Sequence, residues 1–596
     1  MSQDKKIPVN YTNREFRGIK RDLEQIAERY YPDSFQDFSE ASFGSLMLDS
    51  VAYVADQLSF YLDYNVNEMF LDTSFQRSNI ERHGRILGYK SQGRASTYGV
   101  VSLYALIPAS TVGLGPDSTY LPILKRGSRF TSQNGLSFVL TNNVDFSDPK
   151  NQTVVATVDQ NTGAPTFYAI KAFGNVVSGF FSQETITVGD YERFKTIQLQ
   201  STNISEIISI LDSDGNEYFE VDNLSQDIIY REIPNNNYKN DNTPSVMKPF
   251  LVSRKFVSYI ERTRTFIQFG SGNPNESDVV AEPQKVAIDV FGKSYVTDTT
   301  FDPTKLTKNQ NFGIVPSNTT LTIVYRVTNP SNSNVAAGAL NQVSNPILEF
   351  KNRTNLLTSK INSIRNSLEV SNERPITGDV STPTNSEMKM RIYDSFSTQN
   401  RAVTQVDYEN LVYRMPTKFG SVKRCSVQRD PDSQKRNLNM YVLSEDSFGK
   451  LTTTNDTIKK NIKVWLNQHR MINDTIDIID PFILNMGINF VVSAKENTNR
   501  FDLNERCVAS LSNKFGQAFF IGESVNISEI YKELNKVTGV YEVISVTLVS
   551  KTGTNYSGNT IDINRNLSPD GTTLVVPKNA IVEIKYPDTD IKGQVR

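Results

Sequence analysis

Metal, nucleotide and acid–base chemistry each need particular side chains at particular spacings, and this sequence supplies few of them. It has two histidines, His83 and His469, and two cysteines, Cys425 and Cys507. These lie too far apart in the chain for any metal-ligand spacing to be written. Both histidines therefore read as structural: His83 sits inside a predicted helix, and His469 follows Trp465 by one turn near a helix C-terminus, where a charged ring suits the dipole. The segment from Gly88 through Gly93, Arg94 and Ala95 has the glycine spacing of a phosphate loop. Arg94 and Ala95 stand where a lysine and a magnesium-binding hydroxyl are required, and the segment follows a helix instead of a strand, so it reads as a helix-ending turn. Asp212-Ser-Asp214-Gly215-Asn-Glu217 resembles a calcium loop, but its glycine comes two positions early and its twelfth residue is Asn223, so a hairpin turn explains it better. Phe269-Gly-Ser-Gly272 is a lone glycine pair. A glycosidase pair could be hidden among 65 acidic residues, but spacing does not locate one. No catalytic, cofactor-binding or metal-binding residue is assigned, and the chain reads as non-enzymatic with no cofactor.

Size and charge narrow the classes further. A chain of 596 residues holds roughly four domains at about 150 residues each. Lys and Arg number 63 against 65 Asp and Glu, a net charge of -2, which argues against the broad phosphate-binding surface a DNA-coating protein needs. The start, MSQDKKIPVNYTN, has no apolar run behind its lysines, and no later stretch is long enough to cross a bilayer, so neither nucleic acid nor membrane is an expected partner. Two cysteines build no disulfide framework. A Cys425–Cys507 bridge stays open, although Cys507 keeps helical spacing with Leu503 and Leu511 and buried thiols are the commoner outcome inside cells.

The elements follow from periodicity. Thr12 and Glu15 form a capping box before Phe16, Ile19, Leu23, Ile26 and Tyr30, a narrow stripe ending at Pro32. A second helix, from about Phe43 to Asn65, carries Phe43, Met47, Val51, Val54, Leu58 and Tyr61 on one stripe and Leu46, Tyr53, Phe60 and Tyr64 on a second flank. One neighbouring helix does not cover so wide an apolar face, so burial in a bundle that includes other chains is expected. A third helix runs from about Ser74 to Gly88. From about Ser96 the period becomes two, with Val101, Leu103, Ala105 and Ile107 on one strand face, and glycine-punctuated strands continue to about residue 345. Polar loops lie near residues 240 and 332, and a long insertion lies between Gly270 and Ile314. Leu356, Leu357, Ile361, Ile364 and Leu368 mark another helix, followed by an irregular loop over Glu373 to Glu387.

After Asn400 the pattern is α+β. Strands are expected near Val422–Val427 and Leu438–Leu443, a helix through Ile458, Ile462, Trp465 and Leu466, and one strand from about Ile476 through Phe490. A helix with Leu503, Cys507, Val508, Leu511 and Phe515 follows. The last helix begins at an Asn526/Glu529 capping box and ends at Gly539, before a strand with Ile544, Val546 and Leu548 on one face. The expected fold is α+β and multidomain: a helical N-terminal assembly region (1–92), a β-rich middle (93–345), a helix and linker (346–400), and tandem small α+β modules at the C-terminus (401–500 and 501–596).

The stretch NRAVTQVDYENLVYRMPTKFGSVKRC, residues 400–425, specifies one short helix feeding one strand. Thr404 is the N-cap, Asp407 returns the bond, Tyr408, Leu411, Val412 and Met415 form the apolar face, and Pro416 ends the helix. Its wording, RAVTxxDYExLV with Arg401, Thr404, Asp407, Tyr408 and Glu409, resembles the baseplate wedge family of contractile-tailed bacteriophages, the baseplate-J-like proteins of T-even-like phages. An N-terminal block is similar to the same family: Asp37-Phe38, Leu48-Asp49, Ala52-Tyr53, Tyr61, the run Asn67 to Thr73, and Leu87-Gly88-Tyr89. A central block adds Gly127-Ser-Arg-Phe130, Asp214-Gly215 with Tyr218, Phe269-Gly270 and Tyr325-Arg326. The chain departs from the family pattern in the insertion between Gly270 and Ile314.

The resemblance implies a structural subunit of the tail baseplate, assembled in the bacterial host cytoplasm. Such a subunit pairs with a second copy of itself, joins a helical bundle with other wedge proteins, and closes with neighbouring wedges into a six-fold ring around the tail hub that rearranges on contraction. Two separate contact surfaces are what ring closure needs. Phe16, Ile19, Leu23, Ile26, Tyr53, Val54, Leu58, Phe60 and Tyr61 are the assembly contacts on this reading. An intramolecular three-helix core is their other explanation, and the helix after Thr404 reads as internal scaffold. The rival function is a tail-associated host-surface adhesin or cell-wall glycan hydrolase, suggested by the Asn/Ser/Thr-rich middle.

Overall fold

In the computed structural model, residues 14–31, 33, 39, 42–90, 93–111, 114–234, 245–261, 264–273, 312–329, 332–351, 356–433, 437–496, 498–516 and 519–596 are described. Thr12, Pro32, Asp37-Phe38, the loop near residue 240 and most of the Gly270–Ile314 insertion lie outside them. The chain has two compact units, Met1–Lys90 with Pro383–Phe396, and Ser91–Thr382 with Ser397–Arg596. The fold is α+β and multidomain, with helices at the N-terminus and a large β-rich body.

In the first unit the three predicted helices are α1 (Phe16–Tyr30), α2 (Phe43–Glu68) and α3 (Arg77–Ile86). Helix α1 starts with Glu15 itself at the N-cap and no side-chain bond, so Glu15 is not the third residue of a capping box. Ser42 caps α2 by accepting the Ser45 amide at 3.1 Å. The end of α3 follows from Gly88, whose φ of 83° lets the Gly88 amide reach Arg85 O (3.1 Å) and the Tyr89 amide reach Gly84 O (2.8 Å), closing the helix with two carbonyls satisfied.

A helix absent from the sequence reading, Asn385–Thr398, begins inside the predicted irregular loop. Met388 and Ile392, one turn apart, complete a core with Leu71, Ile80 and Tyr89. Its Lys389 Nζ donates to Asp72 O, and its Tyr393 hydroxyl donates to Asp72 Oδ1, both at 2.7 Å. A helix three hundred residues downstream thus closes the N-terminal unit, in a stretch read only as helix and linker.

Among the described residues of the second unit, the β body is built on two seven-stranded sheets and also includes a three-stranded and a two-stranded sheet. In the first, Tyr98–Pro108 pairs antiparallel with Pro165–Ser178, Leu103 opposite Ala172 and Ala105 opposite Ile170. Val101, Leu103, Ala105 and Ile107 all point into its core, as alternation requires. Helix α4 (Thr358–Asn366) covers that core with Ile361 and Ile364. The second sheet centres on Thr319–Val327, paired with Phe180–Val188 and Ile204–Leu211, around Leu199, Ile210, Phe256, Phe269 and Ile323. Asp212 to Asn216 is the predicted hairpin turn, with Asp212 Oδ1 accepting the amides of Asp214 (3.0 Å) and Asn216 (2.7 Å).

The two sheets meet at Gly179 and Arg326. A Cβ on Gly179 would lie 2.1 Å from the Val327 carbonyl oxygen, which only glycine avoids. The Arg326 guanidinium, 1% exposed, donates to Ser96 Oγ (3.0 Å), Ser178 O (2.8 Å) and the Glu206 carboxylate (3.2 Å). Buried charge is tolerable only with such full pairing.

The C-terminal region contains two α+β arrangements. One packs helices Gln405–Tyr413 and Asp456–Leu466 on a sheet of Arg424–Arg429, Asn437–Glu445, Leu451–Thr453 and Thr475–Ile479. The other packs Arg500–Phe515 and Ile527–Asn535 on Phe482–Ala494, Val540–Ser550 and Ile591–Val595.

The single strand expected from Ile476 through Phe490 is two strands belonging to different sheets. Pro481, which has no amide to donate, lies between them. Asn526 caps the Ser528 amide without a returned bond from Glu529. That helix ends at Asn535, before the turn at Gly539. Ile544 is exposed, because the register changes between Val491–Ser545 and Val492–Val543, leaving Ile544 as the extra residue of a bulge. The alternation shifts there, and Val543 takes the inward position. Both cysteines are free and buried.

Candidate assembly surface and the Thr404 motif

Helix α2 forms because its residues propagate a helix from the Ser42 cap, but its covering is unusual. Phe43, Leu46, Met47, Val51, Tyr53, Val54, Leu58, Phe60, Tyr61, Leu62 and Val66 are all more than half exposed, up to 76% at Phe43. Only Ser45, Ala52 and Glu68 are buried along the whole helix. A helix apolar on nearly every side is normally enclosed by others. Of the predicted contact residues, Tyr53, Val54, Leu58, Phe60 and Tyr61 are exposed, Ile26 is 39% exposed, and Phe16, Ile19 and Leu23 are half-buried. Phe60 stacks on Tyr64 with ring centroids 6.1 Å apart, continuing one aromatic strip.

What periodicity missed is the charge on the other side. Helix α1 packs on α2 with Lys20 Nζ 2.7 Å from Asp49 Oδ1 and with Arg14 paired to Asp63. Between Phe43 and Glu68 there is no Lys or Arg, so the charged residues of α2 are the three aspartates of one seam, Asp49, Asp56 and Asp63, and Glu68. Glu68 is committed to the corner that follows: it accepts the Phe75 amide at 2.8 Å, the Gln76 amide at 3.2 Å and Asn79 Nδ2 at 2.8 Å. The Asn79 bond, with the two amides, outweighs desolvation and holds its carboxyl below the usual range. His83 Nε2 donates to Glu68 O at 2.9 Å. The exposed surface of α2 is therefore apolar and uncharged along most of its length.

The Thr404 motif is a set of internal ties. Thr404 Oγ1 accepts the Asp407 amide (3.2 Å), and Asp407 Oδ2 accepts the amides of Thr404 (2.8 Å) and Val403 (3.1 Å), forming the predicted capping box. Burial raises the Asp407 carboxyl, but these hydrogen bonds win and leave it below its ordinary value. The Tyr408 hydroxyl donates to Asp474 Oδ2 at 2.7 Å, and burial, first, then this partner push its ionisation well upward. Glu409 Oε1 accepts the Val427 amide of the following strand at 2.8 Å. Leu411 O accepts Trp465 Nε1 at 2.8 Å. His469 donates from Nδ1 to Asn400 O at 3.1 Å, with its ring against Trp465. Arg401 is exposed and reaches only Gln399 Oε1, at 3.4 Å. Motif side chains here fasten a short helix to its sheet.

Among the described residues no group of three or more His, Cys, Asp or Glu side chains could hold a metal. No described helix is long and apolar enough to cross a membrane.

Residues 17–86 match the family model of the bacteriophage baseplate protein N-terminal domain, the stretch that contains α2. No curated protein matches the chain. Solved structures similar to it include a chain of the six-fold symmetrised anti-feeding prophage baseplate, at 10% identity and TM-score 0.25 over 96% of this chain and 98% of that one. Another is a chain of the type VI secretion system TssK–TssF–TssG baseplate subcomplex, at 8% identity and TM-score 0.24 over 73% and 96%. Superposition at these scores establishes no common fold.

Proposed function

We propose that this chain is a non-enzymatic structural subunit of a contractile-tail baseplate wedge. Its α2 face packs into a helical bundle with a second copy and other wedge proteins, and its C-terminal modules supply a further contact toward neighbouring wedges and the tail hub. The wedges then close as a six-fold ring that rearranges on contraction. The observation that carries this reading is the uncharged, apolar exposure of α2 within the segment matching a baseplate domain. About ten large side chains, each half-exposed, would contribute roughly 10 kcal/mol gross when a partner covers them, enough to offset an association cost of about 4–15 kcal/mol only if the fit is good. Solvent alone is a poor resting place for such a face.

The test is a phage whose only copy of this chain carries Val54→Glu and Leu58→Glu. Tails lacking a plate, with the variant soluble and folded, are the expected result. Normal plates would overturn the reading, and intact plates that fail only in host attachment would favour an adhesin.

A further inference from the structure

Within the second unit, three segments meet in a joint tied by polar groups: the loop 332–334, the linker stretch 377–381, and the end of strand Asn437–Glu445 with Asp446. Asn334 reaches the other two segments. Its Nδ2 donates to Asp379 O (2.7 Å) and Glu445 O (2.9 Å), and its Oδ1 accepts the Asp379 amide (3.1 Å). Asn332 Nδ2 adds bonds to Asp446 O (3.2 Å) and Ser447 O (3.3 Å). Two carboxylates are sealed in the joint, Asp379 at 2% exposure and Glu445 at 4%. Both oxygens of Glu445 are matched: Oε2 accepts the Ser381 amide at 2.6 Å, and Oε1 accepts Ser381 Oγ and Lys423 Nζ, both at 2.8 Å. Asp379 is matched on one side only. Its Oδ2 accepts the Ser333 amide (3.0 Å) and Arg94 Nε (3.1 Å), while its buried Oδ1 receives no donor among the described residues.

An ionised oxygen shut away from water without a donor is costly, and the cost falls on the closed joint alone, because opening lets water reach it. A proton on Asp379 removes the charge and with it most of that cost. Burial accordingly lifts the Asp379 carboxyl above its usual range; Arg94 pulls against this, and the Glu445 charge adds to it. We propose that the joint is a proton-operated latch, closing more firmly as acid neutralises Asp379 and yielding as Asp379 ionises. A carboxyl raised on folding contributes stability that is full below its ordinary value of 3.8 and lost as pH rises through the folded value. The latch gives the second unit a set place to yield, and it is independent of the role proposed for α2.

Hydrogen exchange of the full-length chain, read at single amides and corrected for its intrinsic pH dependence, tests this between about pH 7.5 and about pH 4.5. Ser333 and Ser381 report the latch, since the two carboxylates bind their amides. Val335 and Ile376, which bond each other's carbonyls at 2.9 and 2.8 Å, are controls beside it. Protection at Ser333 and Ser381 should rise as pH falls, by up to about tenfold per pH unit, the slope of one proton, with the controls unchanged. Asp379→Asn should flatten that slope, and Glu445→Gln should keep it at Ser333. Arg94→Met removes the opposing cation, so the rise should begin at higher pH, which decides the matter if Asp379→Asn does not fold. A flat or inverted wild-type profile overturns the inference, as do a slope that survives Asp379→Asn, one lost in Glu445→Gln, or one unshifted in Arg94→Met.

Discussion

Removing the cap of the Thr404 helix should destabilise one module by an amount the structure sets. Thr404→Ala loses one side-chain acceptor for the Asp407 amide, a change worth about 1 kcal/mol. Asp407→Ala frees the amides of Thr404 and Val403. Both sit at an exposed helix start where water can replace the carboxylate, so the cost is about 1.5 kcal/mol instead of the larger penalty of a buried orphan. The two side chains bond reciprocally, so the double variant should lose about 2 kcal/mol, less than the sum. Trp465, the sole tryptophan, donates to Leu411 O in the same helix, so its fluorescence in a urea titration reports this module and not the whole multidomain chain. With a slope of about 2 kcal/mol per M, the midpoint should fall about 1 M for the double variant and about half that for Thr404→Ala. The folded Asp407 pKa is lowered, so its contribution is present above the ordinary value of 3.8 and lost as pH falls through the folded value. Wild type and Asp407→Ala should accordingly converge in acid. Equal midpoints at neutral pH, or a gap that persists in acid, would refute the reasoning.

Gly179→Ala should cost more than about 3 kcal/mol and give insoluble protein on expression, because the new Cβ meets the fixed Val327 carbonyl at a positive φ. Arg326→Met should lower the melting temperature of the β body, with a cost of about 3 kcal/mol, since it leaves Glu206 without its buried partner; Arg326→Met with Glu206→Gln should recover part of the loss in the same calorimetric scan. Burial pushes the Cys425 thiol well up and the Cys507 thiol to about 11, so intact-mass measurement after alkylation near neutral pH should find both unmodified in native protein and both modified in denaturant.

The local elements were legible where one face has a regular period. Ile361 and Ile364, the Val101–Ile107 alternation, and the Gln405–Tyr413 helix with its Thr404 cap all read directly, because cap chemistry and burial there depend on neighbours in sequence. Contacts between distant segments were not. Met388 and Ile392 keep helical spacing, but the prolines before them masked the helix, and nothing local says that it closes a core with Ile80. The bulge at Ile544 depends on strand pairing with Val491 and Val492, which alternation cannot contain. On α2 the apolar stripes drew the reading toward Val54 and Leu58, while the heptad of Asp49, Asp56 and Asp63 was an available signal left unused. Whether that face meets solvent or an internal helix could not be read from periodicity, since stripes look alike in both settings.

The proposed role of α2 as an open, apolar docking face is tested most directly by sedimentation of the full-length chain, wild type beside Val54→Glu/Leu58→Glu, across concentrations up to about 50 µM. The wild type should self-associate as concentration rises, while the variant, with an unchanged circular dichroism spectrum, should sediment as a monomer. A wild type that stays monomeric throughout, or a variant that associates equally well, would contradict the account.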